Sequence, residues 1–191
     1  MFVLKSASPR RKQILSDLGF TLLIQPEHID ETQRNNEPAL SYLERMVHSK
    51  LGNQFEPNNV YLAADTIVVY KKEILHKPID EEDAMRILKL LSGNIHSVYS
   101  GAAIQHSKGT HFFYEETEIQ FWDWKEEEIR DYIKRCHPYD KAGSYGIQDG
   151  KGPVKIWRGS YTNVMGFPLR SFLARHELWI RSWEESIMRI N

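Results

Sequence analysis

The chain has 191 residues, 41% hydrophobic and 27% charged, with the charges spread along its length; that supplies a sizeable core and excludes intrinsic disorder. Its 25 basic and 26 acidic residues leave a formal net charge of −1, so no global field draws it to nucleic acid or to an anionic membrane. The single cysteine, Cys136, excludes an intrachain disulfide, and the start Met1-Phe-Val-Leu-Lys5 lacks the basic-then-apolar order of a signal peptide, so a cytoplasmic protein is expected.

No apolar run approaches the roughly twenty residues that span a bilayer, and no Cys or His spacing resembles a zinc site. Phe2-Val-Leu4 reads as a short strand running into Lys5-Ser-Ala-Ser-Pro-Arg-Arg11, where Ser8 suits a helix N-cap and Pro9 the first helical position. Ile14, Leu15 and Leu18 form an apolar stripe and Gly19 a stop, which predicts a helix from about Pro9 to Leu18. Arg10 and Arg11 fall in its first turn, where the macrodipole disfavours cations and a bound anion would reverse the penalty. Free N–H groups and two guanidinium forks describe a phosphate or carboxylate site; two solvated arginines are the plainer reading.

Thr21 to Ile24 is a second strand candidate, followed by a polar segment in which Glu31 is either a metal or water ligand or a solvated loop carboxylate. Asn36 and Pro38 open a second helix with Leu40, Leu43, Met46, Val47 and Leu51 on one face. Lys50 falls inside that face, so its ammonium either snorkels past its neighbours or meets an anion at a buried edge.

Val60-Tyr-Leu-Ala-Ala-Asp-Thr-Ile-Val-Val-Tyr70 reads as a strand buried on both faces, and it contains one carboxylate, Asp65. An unpaired ionised Asp is heavily penalised there, so Asp65 needs a cation or hydrogen-bond donors, or else sits in a bulge bonded to nearby backbone. Lys71-Lys-Glu73 is a turn, Ile74 to His76 the returning strand, and the hairpin brings Lys77 back toward Asp65.

Asp80 caps a helix with Glu81, Glu82 and Asp83 in its first turn, Ala84, Ile87, Leu88 and Leu91 inward, and Gly93 as its stop. Ile95 to His106 and Thr110 to Trp122 are two long strands around Ser107-Lys-Gly109, the second alternating Glu116, Glu118 and Gln120 outward with Thr117, Ile119 and Phe121 inward. Lys125 to Cys136 is helical with Ile129, Tyr132 and Ile133 inward.

His137 to Gly152 packs Asp140, Lys141, Gln148 and several glycines between apolar elements. A loop this long inside a domain is functional more often than not, and Gln148 offers donor and acceptor to an amide-like edge such as a pyrimidine; an ordinary surface loop is the alternative. Val154 to Trp157 is strand, Gly159 to Asn163 a turn, and Leu169 to His176 starts the last helical region. Trp179, Trp183 and Ile187 at every fourth position mark an amphipathic tail seeking a core or a partner chain.

Two arginines at a helix start, a carboxylate in an apolar strand, Lys50, Lys77 and the glycine loop together suit a metal-bound polyphosphate, and no Walker loop is present. In order and spacing, Ser6-Ala-Ser-Pro-Arg-Arg11, Ala64-Asp-Thr66, Lys77-Pro78, Leu91-Ser-Gly93 with His96, Asp140-Lys-Ala-Gly-Ser-Tyr-Gly-Ile-Gln148, Gly159-Ser160 and Val164-Met-Gly-Phe-Pro-Leu169 resemble the Maf-type nucleotide pyrophosphatases, once described as septum-formation inhibitors.

The resemblance covers nearly the whole chain. It implies one α/β domain over residues 1–191, with 178–191 as a helical extension, and an elongated mixed sheet flanked by helices in two lobes with a cleft, as in inosine triphosphatases. It further implies a homodimer and cleavage of a nucleoside triphosphate to monophosphate and pyrophosphate with a divalent cation such as magnesium, manganese or cobalt.

By the same resemblance Asp65 is the catalytic carboxylate, as general base or as metal ligand. Arg10, Thr66 and Gln148 are the specificity positions and match the branch acting on dTTP and UTP. Ser8, Arg11, Lys50 and Lys77 are phosphate-binding positions, Glu31 lies near the metal, and Asp140 and Lys141 are further loop candidates. Membrane and nucleic acid are not expected partners. The chain departs from the family at Lys5, where alanine is usual, and in the tail from Leu178. The alternative reading is a regulator of cell division that binds nucleotide or nucleic acid without turnover.

Overall fold

Val60–Tyr70 (β3) runs through the middle of a seven-stranded mixed sheet in the computed structural model, which describes residues 1–188, with side chains as far as Glu184. On one side β1 (Phe2–Leu4) lies parallel to β3, with β2 (Leu22–Ile24) parallel beyond it. On the other side β5 (Ile95–His106), β6 (Gly109–Phe121) and β7 (Val154–Arg158) follow antiparallel. β4 (Glu73–Leu75) pairs with the far end of β3 across a turn in which Lys71 and Lys72 adopt φ of 49° and 72°. The parallel strands need crossovers, and α1 (Pro9–Asp17) and α2 (Ala39–Leu51) supply them.

Alternation along β3 sends its apolar residues to both faces. Tyr61, Ala63 and Ile67 pack against α2. Val60, Leu62 and Ala64 join α1, α6 (Leu169–Leu173) and the chain terminus, while Val68 and Tyr70 join α3 (Glu81–Leu91) and α4 (Glu126–Cys136). Between these last two clusters the same face carries the polar side chains Thr66 and Ser100, so a polar seam divides one face of the sheet into two lobes.

The local signals behave as their chemistry predicts. Ser8 caps α1, its Oγ accepting from Arg11 N at 3.4 Å, and Gly19 follows with φ of 83°. Asp80 caps α3, accepting from Asp83 N at 2.8 Å. On β6 Thr117, Ile119 and Phe121 are buried, with Glu116, Glu118 and Gln120 on the other face.

Two expectations are corrected. Leu40 is 38% exposed and Tyr42 takes the inward place, because α2 begins only at Ala39 and the rotation of its first turn is set by docking. Gly159 to Asn163 is not a simple turn: Ser160 accepts from Asn163 N and caps α5 (Tyr161–Met165). The terminus continues through α6 to α7 (Ile180–Met188). Trp179 is buried, stacked on Phe172 with ring centroids 4.8 Å apart, and Trp183 donates to Leu18 O at 3.2 Å. The tail therefore covers this chain's own first helix; the side chain of Ile187 lies outside the described residues. No described helix is long and apolar enough to cross a membrane.

Candidate active site

β1 ends opposite Leu62 and β4, running back from Tyr70, ends opposite Val68, so no described strand flanks β3 on that side at Asp65 and Thr66. The gap lies at the carboxyl end of a parallel strand, where open α/β sheets bind ligands. α1 starts beside it, and the glycine loop closes over the top. The result is a cleft of about 370 Å³ lined by all the residues singled out from sequence: Ser8, Arg10, Arg11, Glu31, Lys50, Asp65, Thr66, Lys77, Asp140, Lys141 and Gln148.

Six basic residues (Lys5, Arg10, Arg11, Lys50, Lys77 and Lys141) line the cleft against four acidic ones (Glu27, Glu31, Asp65 and Asp140). Asp65 occupies a regular ladder position opposite Gly101, and its partner is Lys50, whose Nζ lies 2.8 Å from Asp65 Oδ1 and 2.8 Å from Glu31 Oε1. Of the two readings of Lys50, the buried-edge anion is the one that holds. Lys77 reaches the same group, 3.9 Å from Glu31 Oε2. Burial pushes the Glu31 carboxyl upward, but the hydrogen bond and charge of Lys50, with Lys77 and Arg11 behind, outweigh it and hold the group below its ordinary value.

The adjacent arginines separate. Arg10 reaches across the cleft to Asp140 at 3.1 Å, and Lys141 holds the same carboxylate at 2.8 Å. Arg11 turns into the protein: Nε donates to Gly166 O at 2.8 Å, Nη1 to Ser6 Oγ at 3.0 Å and Nη2 to Thr66 Oγ1 at 3.2 Å, with Asp65 Oδ1 3.9 Å away. Burial lowers its proton affinity and Asp65 opposes that, and an arginine stays charged throughout.

Behind Arg11 the polar seam is fully directed. Ser100 Oγ donates to Asn163 O at 2.7 Å, so the 2.8 Å bond between Thr66 and Ser100 uses the Thr66 hydrogen. Asn163, fully buried, accepts from Ser100 N and donates to Val98 O and to Thr117 Oγ1. Ser6, Ser100, Asn163 and Gly166 thus hold Arg11 directly or through Thr66, and sequence reasoning gave none of them a role. Ser6 and Gly166 stood inside motifs of the family and Asn163 only at the end of an expected turn, whereas Ser100 carried no local signal.

Gln148 stands at the exposed rim of the cleft. Its loop is braced from below: Tyr132 donates to Asp149 Oδ2, and Gly146 N reaches both that carboxylate and the tyrosine oxygen at 3.1 Å. Burial first, and then the bond to Asp149, keeps the Tyr132 hydroxyl protonated.

Residues 1–176 match the family described as Maf-like protein. The chain belongs to that family. Among Maf-family relatives, the dTTP/UTP pyrophosphatase of Leptospira biflexa serovar Patoc is 74% identical over 99% of each chain. The dTTP/UTP pyrophosphatase of Leptospira interrogans serovar Lai is 46% identical over 94% of this chain and 95% of its own. That of a Geobacillus strain is 42% identical over 87% and 91%. Among solved structures, the Staphylococcus aureus Ham1 protein matches 65% of this Maf-family chain and 73% of its own with 11% identity and a TM-score of 0.46.

Proposed function

We propose that this Maf-family protein is a nucleoside triphosphate pyrophosphatase that hydrolyses dTTP and UTP to the monophosphate and pyrophosphate. The observation that carries the reading is the placement of Asp65 at a gap in the sheet, inside a cleft with more basic than acidic side chains, in a chain 74% identical to a relative named for that activity.

A triphosphate entering the cleft displaces internal carboxylates from their cations. Arg10 and Lys141 exchange Asp140 for phosphate oxygens, while Ser8, Arg11, Lys50 and Lys77 line the path of the chain toward Asp65. Water attacks the α-phosphorus, the bond to the bridging oxygen breaks, and pyrophosphate leaves. Asp65 accepts the water's proton or fixes its position, and charge stabilisation supplies most of the rate.

Asp65 and Glu31 would hold the divalent cation. The described residues contain no cluster of three metal-ligating side chains, yet two carboxylates drawn to one point by Lys50 are the hard oxygen donors that would suit an ion of magnesium's kind. Bound there, such an ion supplies charge neutralisation on the phosphates.

Gln148 reads the base: its amide donates to a carbonyl and accepts from N3–H, a pattern shared by uracil and thymine and reversed at N3 in cytosine. A homodimer belongs to the same proposal. Ile95, Tyr114 and Ile156 are 51%, 46% and 47% exposed on a sheet face beyond α2, and sedimentation should give twice the chain mass.

The test of the whole reading is a nucleotide panel with magnesium, manganese or cobalt. Release of pyrophosphate from dTTP and UTP is expected, and Asp65→Asn should lower it by about 10² to 10⁴-fold with the fold intact by circular dichroism. Orthophosphate with a nucleoside diphosphate as products would mean attack at the γ-phosphorus and a different enzyme.

A further inference from the structure

Lys5 is a lysine with no exposed surface, placed where β1 leaves the sheet and in the wall of the cleft. A buried ammonium costs several kcal/mol unless it is paired. Its Nζ lies 2.7 Å from Glu27 Oε1 and 3.5 Å from Gln25 Oε1. Glu27 belongs to the irregular segment between β2 and α2, which carries Glu31 one short stretch further on. The same carboxylate rests on Gly52, where an added Cβ would stand 2.9 Å from Glu27 Oε1. Gly52 caps α2 with φ of 68°, two residues after Lys50, a backbone that disfavours a side chain, and a Cβ added there would push the Glu27 carboxylate aside.

We propose that Lys5 and Glu27 form a clamp that positions Glu31 and Lys50 against Asp65. The clamp ties together three pieces of chain: the end of β1, the segment bearing Glu31, and the last turn of α2 bearing Lys50. It does so at the end of α2 opposite Tyr42, whose hydroxyl donates to Glu31 O at 2.8 Å. Stability alone gives it little reason to exist, since an ion pair with a buried member is often no better than an apolar pair of the same volume. What an apolar pair cannot do is seat a carboxylate on Gly52 and fasten it to β1 at one bonding distance. Lys5 and Glu27 are positioning residues, and the proposal rests on the hydrolysis at Asp65 set out above.

The test separates packing from positioning. Glu27→Gln leaves the buried Lys5 ammonium without its charged partner, and Lys5→Met leaves the half-buried Glu27 carboxylate without its cation; both should lower the melting temperature, the first more. Lys5→Met with Glu27→Leu removes both charges and should recover most of that stability. In the doubly substituted protein kcat for UTP should remain about tenfold to a hundredfold down while KM changes less, because an ångström of misplacement acts on the reacting geometry.

Glu31→Gln added to that background should cost far less than in the unaltered protein, since a carboxylate already displaced has little left to lose. A crystal structure of the doubly substituted protein should show the Lys50 contact to Glu31 lengthened or lost. If Lys5→Met with Glu27→Leu kept the kcat of the unaltered protein, or if that contact stayed unchanged, the pair would be packing and the clamp would be refuted. Absence of turnover in the unaltered protein would instead refute the pyrophosphatase reading, and the crystallographic comparison would still decide the clamp.

Discussion

At the scale of single residues, the cleft is a set of cations each held by an internal carboxylate, and hydrogen accounting decides what is left for a ligand. Thr66 accepts from Arg11 and gives its one hydrogen to Ser100, so in the proposed reaction its part is to steady that guanidinium. Thr66→Val should lower turnover of UTP, dTTP and CTP alike, by about tenfold, as expected for one lost bond to a charged group, and Thr66→Ser should restore it. Gln148→Glu should behave differently: a carboxylate cannot donate to the base carbonyl, so the preference for UTP over CTP should narrow. An unchanged UTP-to-CTP ratio in Gln148→Glu, or a shifted one in Thr66→Val, would exchange these two roles.

His96 presents a separate residue-level case. Its Nε2 shares a 2.8 Å hydrogen bond with Tyr145 in the lobe built around α3 and α4, and burial lowers its pKa from 6.5 to about 3. The unfolded chain therefore binds a proton below 6.5 that the folded one refuses, so stability is greatest above 6.5 and falls as pH drops toward about 3. Chemical denaturation of His96→Gln across that window should show a flatter dependence than the unaltered protein, and an equal slope would place the acid sensitivity elsewhere.

At the scale of elements, capping and periodicity explain what each segment becomes, while register explains what it does. α1 and α3 both begin on oxygen caps, yet α3 carries Glu81, Glu82 and Asp83 in its first turn and α1 carries Arg10 and Arg11. The difference has its use at the gap in the sheet, where the start of α1 stands over Asp65 and Thr66. The last helices are elements of a different kind. Trp179 donates to Phe172 O at 3.1 Å and packs on Phe20 and Phe172, so Trp179→Ala should cost about 3 to 5 kcal/mol. Removal of everything after Leu178 should lower the melting temperature and spare the cleft residues. A truncated protein that melted with the parent would show the tail to be an appendage.

At the scale of the whole molecule, the site exists because two apolar clusters share one sheet face without merging. The cluster around α1, α6 and the terminus and the cluster around α3 and α4 meet along Thr66, Ser100 and Asn163, and this buried polar seam sets Arg11 in the floor of the cleft between them. Hydrophobic burial builds each lobe without regard to direction, whereas the hydrogen bonds of the seam fix how the lobes are aligned.

Much of this was legible in the residues themselves. Caps at Ser8 and Asp80, the alternation on β6 and the apolar run around Asp65 depend on neighbours within a few positions, so local chemistry determines them wherever the chain folds. The order of short motifs was enough to gather eleven residues into one expected site. What only the tertiary structure decided was partnership: that Lys50 meets Asp65 and Glu31, that Arg11 turns inward while Arg10 turns to Asp140, and that Lys5 finds Glu27. It also decided that Leu40 faces out and that the tail covers α1. The reason is physical. A period or a cap is written in adjacent residues, but the gap between β1 and β4, and every ion pair across it, follows from strand register and helix docking set by contacts distant in sequence.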